Sequence, residues 1–266
     1  MTRTHLNTRA AKDRIAAAVE RRYGERLAPP GLARLEALAV LNERSVCRSY
    51  RPDPVPEALV RLLCATALAA PSKSDLQQAT LIRLADPAKR AAIASLLPGS
   101  PWIAGAPELF VFCADGWRFR RLFARGNAPF VNEHLDAFFN AAVDAAIALG
   151  AFAAAAELAG LGACPISQVR DHIAAIDALL ELPDWVVPVA GLALGYPEAK
   201  EPPSARLALT ATVHTDRYDR QAVERELDAY GARRGRDWSG AKVKQYSEVM
   251  RADFGAHVQR KKFRLS

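Results

Sequence analysis

Hydrophobic and polar positions follow a helical period along most of this chain, with a few continuous apolar runs between the helical segments. The helical period predicts helices at 9–24, 30–42, 56–70, 87–97, 132–160, 169–182, 219–230 and 241–261. The apolar runs predict buried strands at 79–85, 108–115 and 185–197. Because helices and strands do not alternate as βαβ units, the pattern favours an α+β fold over a doubly wound sheet.

The helix predicted at 132–160 is apolar enough to be mistaken for a membrane span. Asn140, Asp144 and Glu157 interrupt it, and its many alanines contribute little transfer free energy to a bilayer. We therefore predict a buried helix at the centre of a domain or at a subunit interface, and no membrane partner.

The same pattern divides the chain into three predicted parts. An N-terminal helical appendage covers 1–41, a core covers 42–218, and a C-terminal helical extension covers 219–266. The appendage is set off by the LAPPG break between its two helical segments, and the extension begins where the chain turns polar after Tyr218.

Charge and cysteine content narrow the classes of partner. The chain has 36 Lys and Arg residues against 29 Asp and Glu residues, a net charge of +7, yet the basic residues are scattered and lack interleaved aromatic residues. This distribution favours anionic small ligands over nucleic acid. The four cysteines show no CxxC spacing and the N-terminus has no apolar signal core, so we predict no disulfide and a cytoplasmic location.

Motifs of several enzyme classes are missing from the sequence. No GxGxxG follows a strand, and the chain contains no GxxxxGK[ST] phosphate loop, no GxSxG elbow and no HExxH pair among its five histidines. We therefore expect neither a metal site nor a catalytic triad.

The candidate functional residues are therefore one polar segment between a helix and a strand, and several scattered arginines. PSKSDLQ, at 71–77, joins a helix to a strand with more hydrogen-bonding groups than a joint needs. Arg44 and Arg48 are four residues apart and would share a helical face, a geometry that grips a phosphate from two directions, although a solvated basic face is the alternative. Arg206 lies in a proline-flanked segment, which taken alone favours an ordinary surface arginine.

Five segments in order resemble the motifs of the FMN-dependent nitroreductase family. RSVCRSYRPDPVPEAL (44–59) resembles its first motif, and APSKSDLQQ (70–78) its second. AGLGACPISQVRD (159–171) and the pair GLALGYP (191–197) and ARLALTATVH (205–214) resemble the later ones. The resemblance covers roughly residues 42–218 and is closest to the larger NADPH-dependent flavin reductases and nitroreductases, which carry a C-terminal helical extension.

The resemblance implies a nitroreductase-like mixed sheet sandwiched by helices in an intertwined homodimer, with an FMN in each of two interface sites. It assigns the FMN phosphate and the ribityl or pyrimidine side to Arg44, Ser45 and Arg48, with Arg206 completing the phosphate grip. It assigns the isoalloxazine edge and ribityl chain of the neighbouring subunit's FMN to Pro71, Ser72, Lys73 and Ser74. It also assigns four residues to a position over the flavin ring: Pro165, Ile166, Ser167 and Gln168. A backbone N–H of this segment would lie near flavin N5.

The implied activity is that of an NAD(P)H-dependent FMN oxidoreductase. Hydride would pass from NADPH or NADH through flavin N5 to a nitroaromatic, quinone or flavin acceptor by a ping-pong mechanism, without a catalytic side chain. Arg233, Arg234 and Arg236 would pair with a 2′-phosphate and favour NADPH, unless they form a solvated run. Two alternatives stay open: a flavoprotein of this fold with other or weak redox chemistry, and a basic nucleic-acid-binding or regulatory protein.

Several positions depart from the family pattern. Val46 replaces a usual serine, Asp75 a frequent asparagine and Ser204 a lysine. Ser167 and Gln168 replace paired glycines, which predicts a narrower substrate side of the ring. These changes bear on the substrate more than on flavin binding.

Overall fold

A computed structural model describes residues 3–25, 35–234, 238–248 and 253–265. The chain forms two compact units, one made of Met1–Ser45 with Lys200–Met250 and the other of Val46–Ala199 with Arg251–Ser266. The division into three parts that the sequence predicts stays a prediction.

The described residues form helices and one sheet. In chain order the helices are α1 (Arg3–Tyr23), α2 (Leu35–Glu43), α3 (Glu57–Leu68), α4 (Pro87–Leu96), α5 (Trp117–Arg125), α6 (Leu135–Leu158), α7 (Ile173–Leu180), α8 (Leu209–Thr212), α9 (Arg220–Arg234), α10 (Trp238–Glu248) and α11 (Asp253–Arg260). The strands are β1 (Ala79–Arg83), β2 (Glu108–Asp115), β3 (Gly162–Ile166) and β4 (Val186–Gly195).

The regular secondary structure described in the first unit is helical. In α1, Ala11, Ile15 and Val19 recur every four residues and are buried against Leu35 and Ala39 of α2. The buried carboxylate of Glu226 in α9 accepts the backbone N–H of Ala208 at 2.7 Å, just before α8 begins. Buried carboxylates of this kind satisfy N–H groups that a helix start leaves without a partner.

The second unit is built around a four-stranded sheet with the order β1-β2-β4-β3. Its three strand pairings are antiparallel, and the described residues add no parallel strand to make the sheet mixed. The central strand β2 is buried along its whole length. Its even-numbered residues Phe110 and Phe112 pack with Phe152 of α6, with ring centroids 5.1 and 5.8 Å apart, on the face that α3 and α6 cover.

The opposite face of the sheet is covered by α4 and α7. Val111 and Cys113 of β2 point to this side and pack with Ile93 of α4 and Ile176 of α7. The sheet is therefore sandwiched by helices, as the predicted α+β fold requires. By length and composition α6 alone among the described helices could cross a membrane, yet it packs along the sheet.

Most predicted elements are present. The strand at 108–115 has the predicted bounds, and the long helix predicted at 132–160 is α6. Three elements were missed, namely α5, β3 and the four-residue helix α8. The strand β3 contains Gly162 and Pro165, which mark a loop in the sequence. They are tolerated because β3 is an edge strand, where a proline costs no ladder hydrogen bond. The single helical pattern at 241–261 is two helices, α10 and α11.

Candidate functional site

The joint at 71–77 adopts a conformation that side chains seldom take. It follows α3, passes through a 3₁₀ turn at Lys73–Asp75 and leads into β1. Ser74, Asp75 and Gln77 have φ values of 51°, 55° and 51°, in the left-handed region. Non-glycine residues reach this region at a cost, and three in one short loop persist only where the surroundings hold them.

Asp144 of α6 holds this loop from inside. One carboxylate oxygen accepts the backbone N–H of Lys73 at 2.9 Å, and the other accepts that of Gln78 at 3.0 Å. The two bonds lie on either side of the three left-handed residues, and Asp144 is 3% exposed. Bonds to a buried carboxylate are stronger than bonds between neutral groups, so this contact fixes both ends of the loop.

Arg118 of α5 binds backbone carbonyl groups of the same loop. Its guanidinium donates to the carbonyls of Gln77 at 2.6 Å and Ala79 at 2.7 Å. Asp115 lies 3.3 Å from the Arg118 Nε, and the same carboxylate accepts the N–H groups of Trp117 and Arg118 at the start of α5. The loop backbone thus donates hydrogen bonds to the Asp144 carboxylate and accepts them from the Arg118 guanidinium.

A small cavity opens beside this loop. Its volume is about 90 Å³, and its lining includes Pro71, Ser72, Gln78, Arg118 and Asp144. The Gln78 side chain is 5% exposed, and its Nε2 has no hydrogen-bond partner within the described part of the chain. A buried amide without a partner is costly unless water or a ligand binds it.

The loop residues predicted to contact FMN differ in solvent exposure. Pro71, Lys73 and Ser74 are exposed. Ser72 is half-buried, and its hydroxyl accepts the N–H of Gln77 at 3.2 Å. Their side chains point away from the core while Asp144 and Arg118 hold the backbone.

The segment at 165–168 alternates between surface and core. Pro165 and Ser167 are exposed, whereas Ile166 is buried and belongs to the core. Gln168 accepts a hydrogen bond from the hydroxyl of Ser100. Any contact of Ile166 with a ligand would therefore use its backbone, and of the two side chains that replace family glycines only Ser167 is exposed.

Gly191 of β4 allows this segment to lie close to the sheet. A Cβ at this position would come within 3.1 Å of Val169 Cγ1 and 3.3 Å of Ile166 Cβ. Few real Cβ contacts are so short, so glycine is the residue that fits.

Arg44 and Arg48 do not share a helical face, so that prediction is wrong. Helix α2 ends at Glu43, and residues 44–49 are not helical. Instead the chain follows the edge of the sheet: Cys47 donates its N–H to Ala163 at 3.3 Å, and Arg51 donates to Tyr196 at 2.9 Å. Arg48 is exposed between them.

Arg22 of α1 brings Arg44 and Arg206 together within the first unit. Its guanidinium donates to the carbonyl of Arg44 and, at 2.9 Å, to that of Asn42. Its own carbonyl accepts the backbone N–H of Arg206. The exposed Arg206 guanidinium donates to the Ser204 hydroxyl at 2.9 Å. Ser45 follows Arg44 and is half-buried.

The thiol and phenol near Arg48 are not poised for proton transfer at neutral pH. Burial raises the pKa of the Cys47 thiol, and it raises the pKa of the Tyr50 phenol as well. Tyr50 donates to the carbonyl of Cys47 at 2.7 Å. Both groups therefore stay protonated at neutral pH and stabilise the backbone.

Comparison with known proteins identifies the family. Residues 41–196, more than half of the chain, match the model of the nitroreductase family. The chain belongs to the nitroreductase family. The match includes Arg44, Ser45 and Arg48, the two segments at 71–77 and 165–168 that are predicted to contact the cofactor, and Asp144, while Arg206 lies beyond it.

Individual members of the nitroreductase family agree with this assignment. The chain is 31% identical over 236 residues to the FMN reductase [NAD(P)H] of Bacillus subtilis, covering 80% of this chain and 92% of that protein. It is 32% identical to the oxygen-insensitive NADPH nitroreductase of Salmonella typhimurium, covering 74% and 85%. The solved structure of the hypothetical oxidoreductase YcnD from Bacillus subtilis superposes with a TM-score of 0.82 at 29% identity, covering 87% of this chain and 99% of that one. The predicted family and α+β nitroreductase fold are confirmed.

The chemistry of these residues is compatible with FMN, the cofactor that the resemblance implies. A phosphate dianion requires cations or N–H donors, which Arg48 and Arg206 offer at the surface of their units. The polar edge of a flavin requires neutral donors and acceptors, which Ser74 and the buried amide of Gln78 supply. Within the described residues, no group of three or more His, Cys, Asp or Glu side chains is placed to hold a metal ion.

Asp144, Arg118, Gln78 and Arg22 were not identified as site residues from the sequence. Asp144 had the clearest signal, because it is a charged residue within an apolar helix. Arg118 and Arg22 lie among other arginines, and nothing in the sequence separates them from solvated neighbours.

Proposed function

We propose that this chain is an NAD(P)H-dependent oxidoreductase that uses FMN as its cofactor. Relatives of similar length bear the names FMN reductase [NAD(P)H] and NADPH nitroreductase, and these names agree with the activity that the sequence motifs imply. The FMN-binding residues proposed are those that the motifs assign: Arg44, Ser45, Arg48, Pro71, Ser72, Lys73, Ser74, Pro165, Ile166, Ser167, Gln168 and Arg206.

One structural observation carries the proposal. The family's second motif forms a loop with three left-handed residues, held by Asp144 and Arg118, whose side chains Lys73 and Ser74 face solvent. A loop that only joined α3 to β1 would not need this strain or this support. A rigid loop with outward polar groups is suited to orienting a ligand, because little conformational entropy is lost on binding.

The residues proposed here bind and orient rather than transfer protons. Arg206 would bind the phosphate, Lys73 and Ser74 would contact the ribityl chain and ring edge, and a backbone N–H of segment 165–168 would lie at the ring. FMN bound by these residues would supply the redox chemistry, namely hydride transfer between NAD(P)H and an acceptor. Donor and acceptor would occupy the same face in turn, giving ping-pong kinetics, which parallel double-reciprocal plots would reveal.

The proposed acceptor is a small molecule of the nitroaromatic, quinone or flavin class. Ser167 presents a side chain where the larger flavin reductases have glycine, whereas Gln168 is hydrogen-bonded to Ser100. Any narrowing of the acceptor side would therefore come from Ser167. Comparing kcat/KM for a planar quinone and a bulkier nitroaromatic, in the natural chain and in Ser167→Gly, measures that effect.

A homodimer in the cytoplasm is part of the proposal. Large apolar side chains on α6 are exposed in the single chain, among them Phe139, Val143 and Ile147, at intervals of four residues. Such a stripe is costly in water and suits a second copy of the chain. The four cysteines form no disulfide with one another, which is compatible with a reducing compartment.

The preference for NADPH is also a prediction. Arg233 pairs with Glu226 and donates to the carbonyl of Arg206 at 3.1 Å, so its guanidinium is already engaged within the first unit. Arg236 lies outside the described residues. Equal catalytic efficiency with NADH and NADPH would remove the 2′-phosphate role from this segment.

The visible spectrum of the purified protein tests the proposed function. The cofactor is released and identified, and NADPH is then added without oxygen. We expect bound FMN whose spectrum bleaches. Bound FMN that stays oxidised with both NADPH and NADH would contradict the oxidoreductase and favour a flavoprotein with other chemistry. A colourless protein that does not take up added FMN would contradict flavin binding itself.

A further inference from the structure

We infer that Asp144 is a positioning residue that sets the conformation of the flavin-contacting loop; this rests on the function proposed above. Asp144 itself contacts the backbone of the loop and would not touch the flavin. Its two carboxylate oxygens each accept one N–H, from Lys73 at 2.9 Å and from Gln78 at 3.0 Å.

The positions of the two donors make this contact specific to the loop's shape. Lys73 begins the 3₁₀ turn, and Gln78 immediately precedes β1. Between them lie the left-handed residues Ser74, Asp75 and Gln77. One rigid carboxylate that binds both ends fixes the separation of those ends, and so favours the strained conformation between them over relaxed alternatives.

A carboxylate is the group that satisfies both donors. Ionised aspartate offers two acceptor oxygens, whereas asparagine offers one oxygen and an NH₂ group that would face the second N–H. Because Asp144 is 3% exposed, water does not replace the lost acceptor easily. Replacement by asparagine thus leaves one backbone donor unsatisfied without changing the volume of the side chain.

The surroundings of Asp144 favour a role in the loop over a role in the core. The side chains of Lys73 and Ser74 are exposed, so at the Lys73 end of the loop the carboxylate binds backbone that carries no core side chain, and at the other end it binds the N–H of the buried Gln78. Arg118 binds the carbonyls of Gln77 and Ala79 from its own side, and the unpartnered amide of Gln78 borders the same cavity as Asp144. The carboxylate of Asp144 on α6 thus contacts the loop and lines the cavity beside it.

Backbone amide exchange in the flavin-free protein tests the contact without any cofactor. Asp144→Asn is compared with the natural chain, and Asp136→Asn is the matched control, because Asp136 lies in the first turn of the same helix and is exposed. We expect the amides of Lys73 and Gln78 to exchange at least about 10-fold faster in Asp144→Asn, with exchange in β2 unchanged. Unchanged exchange at both amides would overturn the inference.

FMN affinity tests the consequence for binding. Under conditions where each variant is fully folded, we expect Asp144→Asn to raise the Kd for FMN by about 10-fold or more and Asp136→Asn to leave it unchanged. A merely structural role would lower the melting temperature of Asp144→Asn but leave this Kd unchanged, and that result would overturn the inference.

A backbone variant covers the case in which Asp144→Asn does not fold. Lys73→Pro removes one of the two N–H donors, and Lys73→Ala removes the side chain but keeps the donor. Ser72 has φ −124° and ψ 156°, a conformation that tolerates a following proline. We expect Lys73→Pro to bind FMN about 10-fold more weakly than Lys73→Ala. Equal Kd values would overturn the inference.

The two proposals fail in different ways. If the natural chain binds no FMN, the proposed function fails and the positioning role for a flavin loop falls with it. If the natural chain binds FMN but Asp144→Asn binds it equally well, only the positioning role fails.

Discussion

The buried guanidinium of Arg22 donates to the backbone carbonyl of Arg44. Arg22 is 6% exposed, and its own carbonyl accepts the N–H of Arg206, 184 residues further along the chain. Two arginines that the motifs assign to the FMN phosphate are therefore tied to one residue that no motif contains.

We expect Arg22→Met to weaken FMN binding more than riboflavin binding. Without its guanidinium, the backbone at Asn42 and Arg44 loses a donor, and so does the carbonyl of Ser204, which lies 3.5 Å from the guanidinium and two residues before Arg206. Riboflavin lacks the phosphate that Arg44 and Arg206 would bind. The Kd for FMN should rise about 10-fold or more, while that for riboflavin changes little. Fluorescence titration of both flavins measures the ratio.

Arg21→Met is the matched control, because Arg21 is the preceding residue of the same helix and is exposed. It should leave both Kd values unchanged. An equal rise in both Kd values for Arg22→Met would assign Arg22 a general structural role.

The contrast between these residues shows what the sequence can reveal. Residue type and motif order are local properties, and they were enough to identify the family, the α+β fold and the strand at 108–115. Arg22 and Arg21 are neighbours of one type, yet one is buried and the other exposed. That difference depends on contacts with residues far along the chain, which a single sequence does not display.

Asp144 and β3 illustrate the same limit. The sequence marks Asp144 as an interruption in an apolar helix but cannot say which backbone groups it binds, since Lys73 lies 71 residues away. The strand β3 was missed because its glycine and proline are loop signals, and only its place at the sheet edge makes them acceptable.

Gly191→Ala should destabilise the protein by about 1–3 kcal/mol. The added Cβ would lie 3.1 Å from Val169 Cγ1 and 3.3 Å from Ile166 Cβ, both in the buried core. Gly231→Ala in α9 is the control, because its Cβ would meet nothing within 4 Å and alanine is the better helix former by up to about 1 kcal/mol. Urea unfolding of the two variants would contradict this account if Gly191→Ala were as stable as Gly231→Ala.

Val143→Glu should dissociate the proposed homodimer. Val143 lies in the exposed apolar stripe of α6, between Phe139 and Ile147, where a buried charge would lack a partner at an interface. Light scattering after size-exclusion chromatography should give the mass of a dimer for the natural chain and of a monomer for Val143→Glu. Because Pro71–Ser74 are proposed to serve the neighbouring subunit's FMN, flavin retention should fall as well.

Val243→Glu provides the control for the added charge, since Val243 of α10 is 71% exposed. It should leave the dimer intact. A natural chain that is monomeric at every concentration at which it binds FMN would contradict the dimer.

His257 should make the protein less stable as the pH falls below neutrality. It is 3% exposed on α11, and its Nε2 lies 3.3 Å from Asp177 Oδ2. Burial lowers the pKa of His257, and Arg260 and Lys261 lower it further, against the opposing effect of Asp177 and Asp253. Because the folded pKa lies below the unfolded value of about 6.5, the unfolded chain takes up a proton first.

The stability contributed by neutral His257 is therefore present above about pH 6.5 and is lost as the pH falls through the folded pKa, with a slope of at most about 1.4 kcal/mol per pH unit. The free energy of unfolding, measured between pH 7.5 and 5.5, should fall less steeply in His257→Gln than in the natural chain. His172→Gln, at an exposed histidine, should keep the natural slope. Equal slopes in all three proteins would show that His257 does not supply this pH dependence.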